Sequence, residues 1–367
     1  MSLLASKHLD RSQTGLRICL QLYLSDGVLS NPTGEIVVKP CKQSEIDFYE
    51  STSAHRDFLP HIPTFLGRIT LGADNVKAQA IGAIVMPSET ATEAPAGSGI
   101  GSTTLIANDW APSNGGKIQT DLAIVLGNVA HGYKKPNILD VKLGARLWAD
   151  DAPTAKRVKL DRVAAETTSK PLGFRIAGMK TYHGAPNNGK EGVTSDGYKL
   201  YDKMYGRSFT VQNIDEAFGD YFLLDKEAKA TGPTRKVIKR FIGDLEAMQD
   251  VIEKEESRMY SASLLFVYEG EQQSLRNAFT LETDIINDLQ HKTAHADESK
   301  NGNGTDATGD NCEIDDDEGS VEGISFPAIQ SVKLIDFAHA EWTPGQGPDA
   351  NLLHGIRNVI KILNELT

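Results

Sequence analysis

At 367 residues, 40% of them apolar, the chain can bury one large core or two lobes without disulfide or metal staples. Its three cysteines, Cys19, Cys41 and Cys312, are widely spaced and include no Cys-x-x-Cys pair, which argues against a disulfide framework and a structural zinc site and points to a reducing, intracellular compartment. Fifty acids against 38 bases give a net charge of −12, a sum that by itself disfavours an anionic substrate; direct nucleic-acid binding is not expected.

The distribution of that charge says more than its sum. Ten acids and one lysine fall between Asp297 and Glu322, whereas eight bases face four acids from Lys134 to Arg162. An acidic segment carries most of the excess, which leaves a basic one free for anionic ligands. The first residues, with Lys7, His8, Asp10 and Arg11, do not read as a signal peptide, and no apolar run approaches the roughly 20 residues of a bilayer span.

In chain order, 16–24 and 34–39 read as strands of a hairpin about a turn containing Asp26, Gly27, Asn31, Pro32 and Gly34, ending at Lys39. Ser44 follows at an N-cap position, and Ile46, Phe48, Tyr49, Phe58 and Leu59 then recur at roughly helical spacing around Glu45 and Glu50. Strands are expected over 65–70 and 78–86, polar loops over 88–103 and 109–117, and an apolar run over 121–129. A charged helix is expected over 154–167 and a loop over 182–202. Over 234–258, Val237, Phe241, Leu245, Met248 and Ile252 set one apolar stripe on a helix facing a core. Strands at 260–268 and 331–337 are separated by a helix at 275–289 and the acidic segment, and an amphipathic helix at 351–366 closes the chain.

Two stretches carry chemistry. Pro136 to Gly144 reads Pro-Asn-Ile-Leu-Asp-Val-Lys-Leu-Gly, so in a strand Asp140 and Lys142 leave the same face. A carboxylate beside an ammonium suits a phosphorylated ligand; a surface ion pair explains the spacing equally well. Ile335-Asp336-Phe337-Ala338-His339 presents a carboxylate at the end of an apolar strand, the way two-lobed kinases present a metal-holding aspartate to nucleotide phosphates. Lys39 on an early strand, an acid on the next helix and Asp336 near the C-terminus follow the kinase order. No Gly-x-Gly-x-x-Gly or His-Arg-Asp loop accompanies them, which excludes a conventional protein kinase.

Pro136 to Gly144 resembles the Pro-x-x-x-Asp-x-Lys-x-Gly signature of the inositol polyphosphate kinase family. Ser263-Leu264-Leu265, Ile335 to His339, Tyr205-Gly206-Arg207 and the 355–363 helix resemble its later motifs. The Lys134-Lys135-Pro136-Asn137 lead-in and the acidic segment resemble its fungal multikinase branch. Ala262 stands where a first serine is frequent, and Gly127 where an acid is frequent.

The resemblance implies an α+β, two-lobed ATP-grasp or protein-kinase-like fold. It divides the chain into an N-terminal lobe over 1–129 and a C-terminal lobe over 130–367, with a small helical inositol-phosphate-binding insertion over 147–207 and an acidic disordered loop over 294–324. It implies Lys39 on the α and β phosphates of ATP with Glu45, or else Glu50, as its partner, and adenine against Leu126, Gly127, Asn128 and Val129. Asp140 would bind ribose or orient the attacking hydroxyl, Lys142 would touch substrate and moving phosphoryl, and Asp336, with Ser263, would hold Mg2+. Lys156, Lys159 and Arg162 on one helix face, complemented by Lys203, Arg207 and His339, would bind the inositol phosphate.

The expected activity is ATP- and Mg2+-dependent phosphorylation of inositol tris- and tetrakisphosphates at the 6- and 3-hydroxyls, towards the pentakisphosphate. An inositol hexakisphosphate kinase or a trisphosphate 3-kinase is the alternative. Further expectations are a phosphoinositide headgroup as a second acceptor, transcription factors as partners of the acidic loop, a monomer, and residence in nucleus and cytoplasm.

Overall fold

The computed structural model describes residues 17–18, 28–70, 120–184, 192–226, 228–300 and 326–367. The expected strand at 78–86, the loops at 88–103 and 109–117 and most of the acidic segment, from 301 to 325, lie outside them. The first lobe holds β1 (Arg17–Ile18), β2 (Leu29–Ser30), β3 (Ile36–Pro40), α1 (Gln43–Ser51), β4 (Phe65–Thr70) and β5 (Leu122–Gly127). Its antiparallel sheet runs β1-β2-β3-β5-β4.

The strand that pairs with β3 lies inside the stretch expected to be turn. Asn31 Oδ1 accepts from the Ile36 amide at 3.1 Å and Gly34 takes φ 75°, so the reversal closes within four residues and the ladder continues back to Leu29. The helix starts differently from expectation as well. Lys42 is the N-cap of α1, and Ser44 instead donates its hydroxyl to the Ala338 carbonyl at 2.8 Å. The helical run does not reach Leu59: 3-10 turns at Thr52–Ala54 and Arg56–His61, the latter containing Pro60, replace it.

The second lobe follows as β6 (Pro136–Leu143), α2 (Thr154–Ala165), α3 (Ser169–Leu172), β7 (Phe174–Tyr182), β8 (Tyr198–Tyr201), α4 (Lys203–Arg207), α5 (Ile214–Phe222) and α6 (Gly232–Lys254). It ends with β9 (Ser257–Met259), β10 (Ser263–Glu269), α7 (Gln272–Lys300), β11 (Gln330–Ile335), β12 (Ala340–Trp342) and α8 (Ala350–Glu365). Its main sheet, β11-β10-β6-β7-β8, is antiparallel throughout, and β12 pairs with β9. Two of these strands, β7 and β8, fall within 147–207, so the span expected to be a helical insertion supplies part of the lobe's own sheet. The loop expected over 182–202 likewise gives up 198–201 to β8, and α7 carries helix to Lys300, into the span expected to be acidic loop.

With β6 at the centre, alternation decides what faces what. Leu139, Val141 and Leu143 join Leu264, Phe266 and the buried side of α6 (Val237, Phe241, Leu245, Met248, Ile252) in the core. Ile138, Asp140 and Lys142 take the opposite face. A buried Phe337, just past β11, packs its ring 4.8 Å from Phe48 and 5.2 Å from Tyr49 of α1, which fixes the first lobe to the strand end carrying Asp336.

Candidate active site

Three elements converge on one carboxylate. Lys39, from β3, places Nζ 2.7 Å from Asp336 Oδ1 and 2.7 Å from Glu45 Oε1 on α1. Lys142, from β6, reaches Asp336 Oδ2 at 3.1 Å and the Ser261 carbonyl at 2.9 Å. Glu45, 2% exposed, also accepts from the Phe337 amide at 3.2 Å; Glu50 instead sits 3.6 Å from Arg68. Glu45 is thus the partner that ties helix, lysine and aspartate loop together. Asp336 itself adopts φ 70°, a left-handed backbone that aspartate tolerates better than most residues and that turns its carboxylate out of the strand.

The two aspartates experience opposite fields. Burial would raise the Asp336 pKa, but the charges of Lys39 and Lys142 outweigh it and hold the group well below the carboxylate range. Burial raises Asp140, the Asp336 charge adds to the shift, and Lys142 and Ser263 oppose it without reversing it. Lys142 and Ser263 are direct cross-strand partners, with Asp140 opposite Leu265, so all of these side chains line one face. Asp140 Oδ1 and the Ser263 hydroxyl are both buried without a hydrogen bond in good geometry.

Beside this cluster, between the lobes, a cleft is lined by Val28, Val37, Leu126, Val129, Leu265 and Ile335, with Lys39 and Asp336 at its polar end. Gly127 and Asn128 also line it, so the whole expected adenine edge does. The Gly127 and Asn128 amides are engaged by the Thr64 and Glu35 carbonyls, each at 2.8 Å, whereas the Val129 amide makes no hydrogen bond among the described residues. An apolar slot with one free backbone donor suits a purine.

The expected phosphate ligands divide. Lys156 donates to His339 Nε2 at 3.0 Å; burial, Lys156 and Lys42 push the imidazole down to about 4, so it is neutral and accepts. Lys159 and Arg162 are exposed on α2, and because each three-residue step falls about 60° short of a full circle, Lys156, Lys159 and Arg162 spread over an arc of about 120°. Lys203 and Arg207 are exposed at the two ends of α4.

Arg175, which sequence reasoning did not single out, stands directly across from Lys142 and donates to Ser169 Oγ at 3.0 Å. Its ordinary pKa is lowered by burial and by Arg207, and Asp140 opposes that shift. Two guanidiniums near a single carboxylate leave positive charge for an anion. The sequence signal was the Gly-Phe-Arg-Ile run after a helix, visible once β7 is recognised as a strand.

No group of three or more His, Cys, Asp or Glu side chains forms a metal cage among the described residues. The donors present, one ionised carboxylate with an orphaned hydroxyl and a second carboxylate nearby, fit Mg2+, which takes one or two carboxylates and fills its shell with phosphate oxygens and water.

A lysine–glutamate pair, an aspartate at a strand end and an apolar slot between two lobes define a kinase-like phosphotransferase. The sequence model of the inositol polyphosphate kinase family matches residues 123–364. The inositol polyphosphate multikinase of Saccharomyces cerevisiae is 32% identical over 358 residues, 92% of this chain and 94% of that one. That of Schizosaccharomyces pombe is 28% identical over 336 residues, 91% of each chain. A crystal structure of inositol phosphate multikinase Ipk2 from S. cerevisiae in complex with ADP and Mn2+ superposes with a TM-score of 0.57 at 27% identity, covering 90% of this chain and 99% of that one. The chain belongs to the inositol polyphosphate kinase family and is an inositol phosphate kinase.

Proposed function

We propose that the protein transfers the γ-phosphoryl group of ATP to inositol tris- and tetrakisphosphates in succession, at the 6- and 3-hydroxyls, to reach the pentakisphosphate. The observation that carries this reading is the contact of Lys142 Nζ with Asp336 Oδ2 at 3.1 Å, while the Lys142 charge also acts on His339, which accepts from Lys156 at 3.0 Å. One side of Lys142 suits nucleotide phosphates and the other an anionic acceptor. Action on more than one inositol phosphate is in keeping with the two fungal relatives, each an inositol polyphosphate multikinase by name.

Lys39 holds the nucleotide phosphates and is itself held by Glu45. The acceptor oxygen attacks the γ-phosphorus as the bond to the β-bridging oxygen breaks, and the hydroxyl proton passes to Asp140 or to water. A carboxylate with a raised pKa is better matched to accept that proton. Lys142 follows the charge that develops on the moving phosphoryl oxygens, for which it exchanges its resting contact with Asp336. Asp336, with Ser263 close by, would hold Mg2+, which when bound neutralises the β and γ oxygens.

Labelled ATP and Mg2+ with a panel of inositol phosphates tests the proposal. Successive label in tetrakis- and pentakisphosphate is expected; label in hexakisphosphate alone, or in a single tetrakisphosphate, would establish a sibling specificity instead. An acceptor site that draws bases from α2 and α4 is suited to a phosphoinositide headgroup, so phosphatidylinositol bisphosphate in micelles belongs in the panel. The acidic segment at 294–324 suits basic transcription factors by charge, in a protein working in nucleus and cytoplasm. Loss of their pull-down on deleting 297–322, with kinase activity kept, tests that pairing.

A further inference from the structure

Helix α2 presents Lys156 to the acceptor site, yet little apolar burial fixes it there. Of its 12 residues only Ala164 is buried, and Val158 is 58% exposed. A helix without an apolar face gains little from packing and needs another determinant of its orientation.

That determinant is polar and centres on Trp148. The indole Nε1–H donates to Asp161 Oδ1 on α2 at 2.6 Å. Two guanidiniums lie against the ring, Arg146 with Cζ 3.9 Å from its centroid and Arg157 of α2 at 4.8 Å. Arg157 also donates from Nε to the Ala152 carbonyl at 2.6 Å. The loop bearing Trp148 is anchored to the lobe's core: the Ala145 and Arg146 amides both donate to Asn351 Oδ1 at 2.9 Å, and Ser261 Oγ donates to the Leu147 carbonyl at 2.8 Å. The Ser261 carbonyl is the one that holds Lys142. A continuous set of contacts therefore runs from Lys142 through Ser261 and Trp148 to α2, and ends at Lys156.

We propose that Trp148, bonded to Asp161 and in contact with Arg146 and Arg157, is a positioning residue that sets the seat of α2 and thereby the place of Lys156 for the polyanionic acceptor. The proposal rests on the reading of Lys156 and His339 as acceptor ligands. It assigns Arg146 and Arg157, two of the bases in the positive segment, to holding the helix and not to touching the acceptor.

The test is steady-state kinetics with inositol trisphosphate and ATP for wild type, Asp161→Ala, Asp161→Asn, Trp148→Phe, Lys156→Ala and the Asp161→Ala/Lys156→Ala double variant. Asp161 is exposed, and a thermal melt checks that its variants are folded. Losing one charge-assisted bond predicts an acceptor KM raised about tenfold in Asp161→Ala and Trp148→Phe, with the ATP KM within about twofold of wild type. Asp161→Asn should recover most of the loss, because its amide oxygen still accepts from the indole. The double variant should match Lys156→Ala alone, since the clamp acts through that lysine. An unchanged acceptor KM, an equal rise in both KM values, or multiplicative effects in the double variant would overturn the proposal. If Lys156→Ala itself leaves the acceptor KM unchanged, the acceptor reading fails first and takes the clamp's role with it.

Discussion

Truncating Lys142 to alanine removes the β6 ammonium that contacts Asp336. In the resting site it makes two bonds, 3.1 Å to Asp336 Oδ2 and 2.9 Å to the Ser261 carbonyl. If one charge-assisted bond to the moving phosphoryl is lost in the transition state, the barrier rises by about 1.5–3 kcal/mol. At about 1.4 kcal/mol per decade, that is a fall of roughly 10- to 150-fold in kcat/KM for the acceptor. The stability cost should be smaller, because Asp336 keeps Lys39 and its side chain is 31% exposed to water. ATP binding should change little, since Lys39 and the apolar slot remain. Single-turnover transfer from labelled ATP, read beside nucleotide affinity and a thermal melt, separates these effects. A folded Lys142→Ala variant transferring at the wild-type rate would falsify the assignment. Lys142→Arg should recover only part of the activity, because a planar guanidinium does not occupy the space of a compact ammonium.

Asp336→Asn removes the charge that two lysines share, but Lys39 keeps Glu45 and Lys142 keeps the Ser261 carbonyl. The protein should stay folded and lose Mg2+-stimulated turnover; an unaltered Mg2+ titration of the rate would count against Asp336 as the metal ligand. His339 gives a pH dependence. Its pKa of about 4 in the fold lies below the roughly 6.5 of an unfolded histidine, so on acidification the unfolded chain takes up the proton first. The stability that His339 contributes is therefore full above about pH 6.5 and declines as pH falls towards 4. Melting temperatures of the ligand-free protein should show a shallower acid slope in His339→Gln, and identical slopes would remove the histidine from that transition.

What the sequence revealed depended on how local the cause was. The strand β6 was legible because Pro136 and Gly144 bracket an apolar run with two charges at period two, and α6 because its stripe recurs from Val237 to Ile252 along a 23-residue helix. The strand β7 was missed: its register shifts against β6 between Asp140 and Val141, and Arg175 and Gly178 interrupt its apolar pattern. Its identity as a strand comes from pairing with β6, which no local window contains. Arg175 was lost with it. The nine-residue α5 offered too short a repeat, although Phe218, Tyr221 and Phe222 are among the largest fully or nearly fully buried side chains. Lys39 and Asp336 meet across 297 positions of sequence, and their pairing was readable only as an order of chemical types along the chain.

The two site aspartates show what a motif leaves open. In sequence each is a carboxylate set in an apolar strand context, and Asp140 could equally position a hydroxyl or take its proton. In the fold Asp336 lies between two ammoniums that keep it ionised, whereas Asp140 is buried, has one oxygen without a hydrogen bond, and feels the Asp336 charge. Environments that push two neighbouring carboxyls in opposite directions divide their work. Asp336 suits a permanent anion for a cation to rest on, and Asp140 suits the group whose proton count can change during a turnover. The division also requires Lys142 to sit between them. When that ammonium moves toward phosphoryl oxygen, Asp140 loses the charge that opposes its burial, and its affinity for the hydroxyl proton rises at the step that needs it.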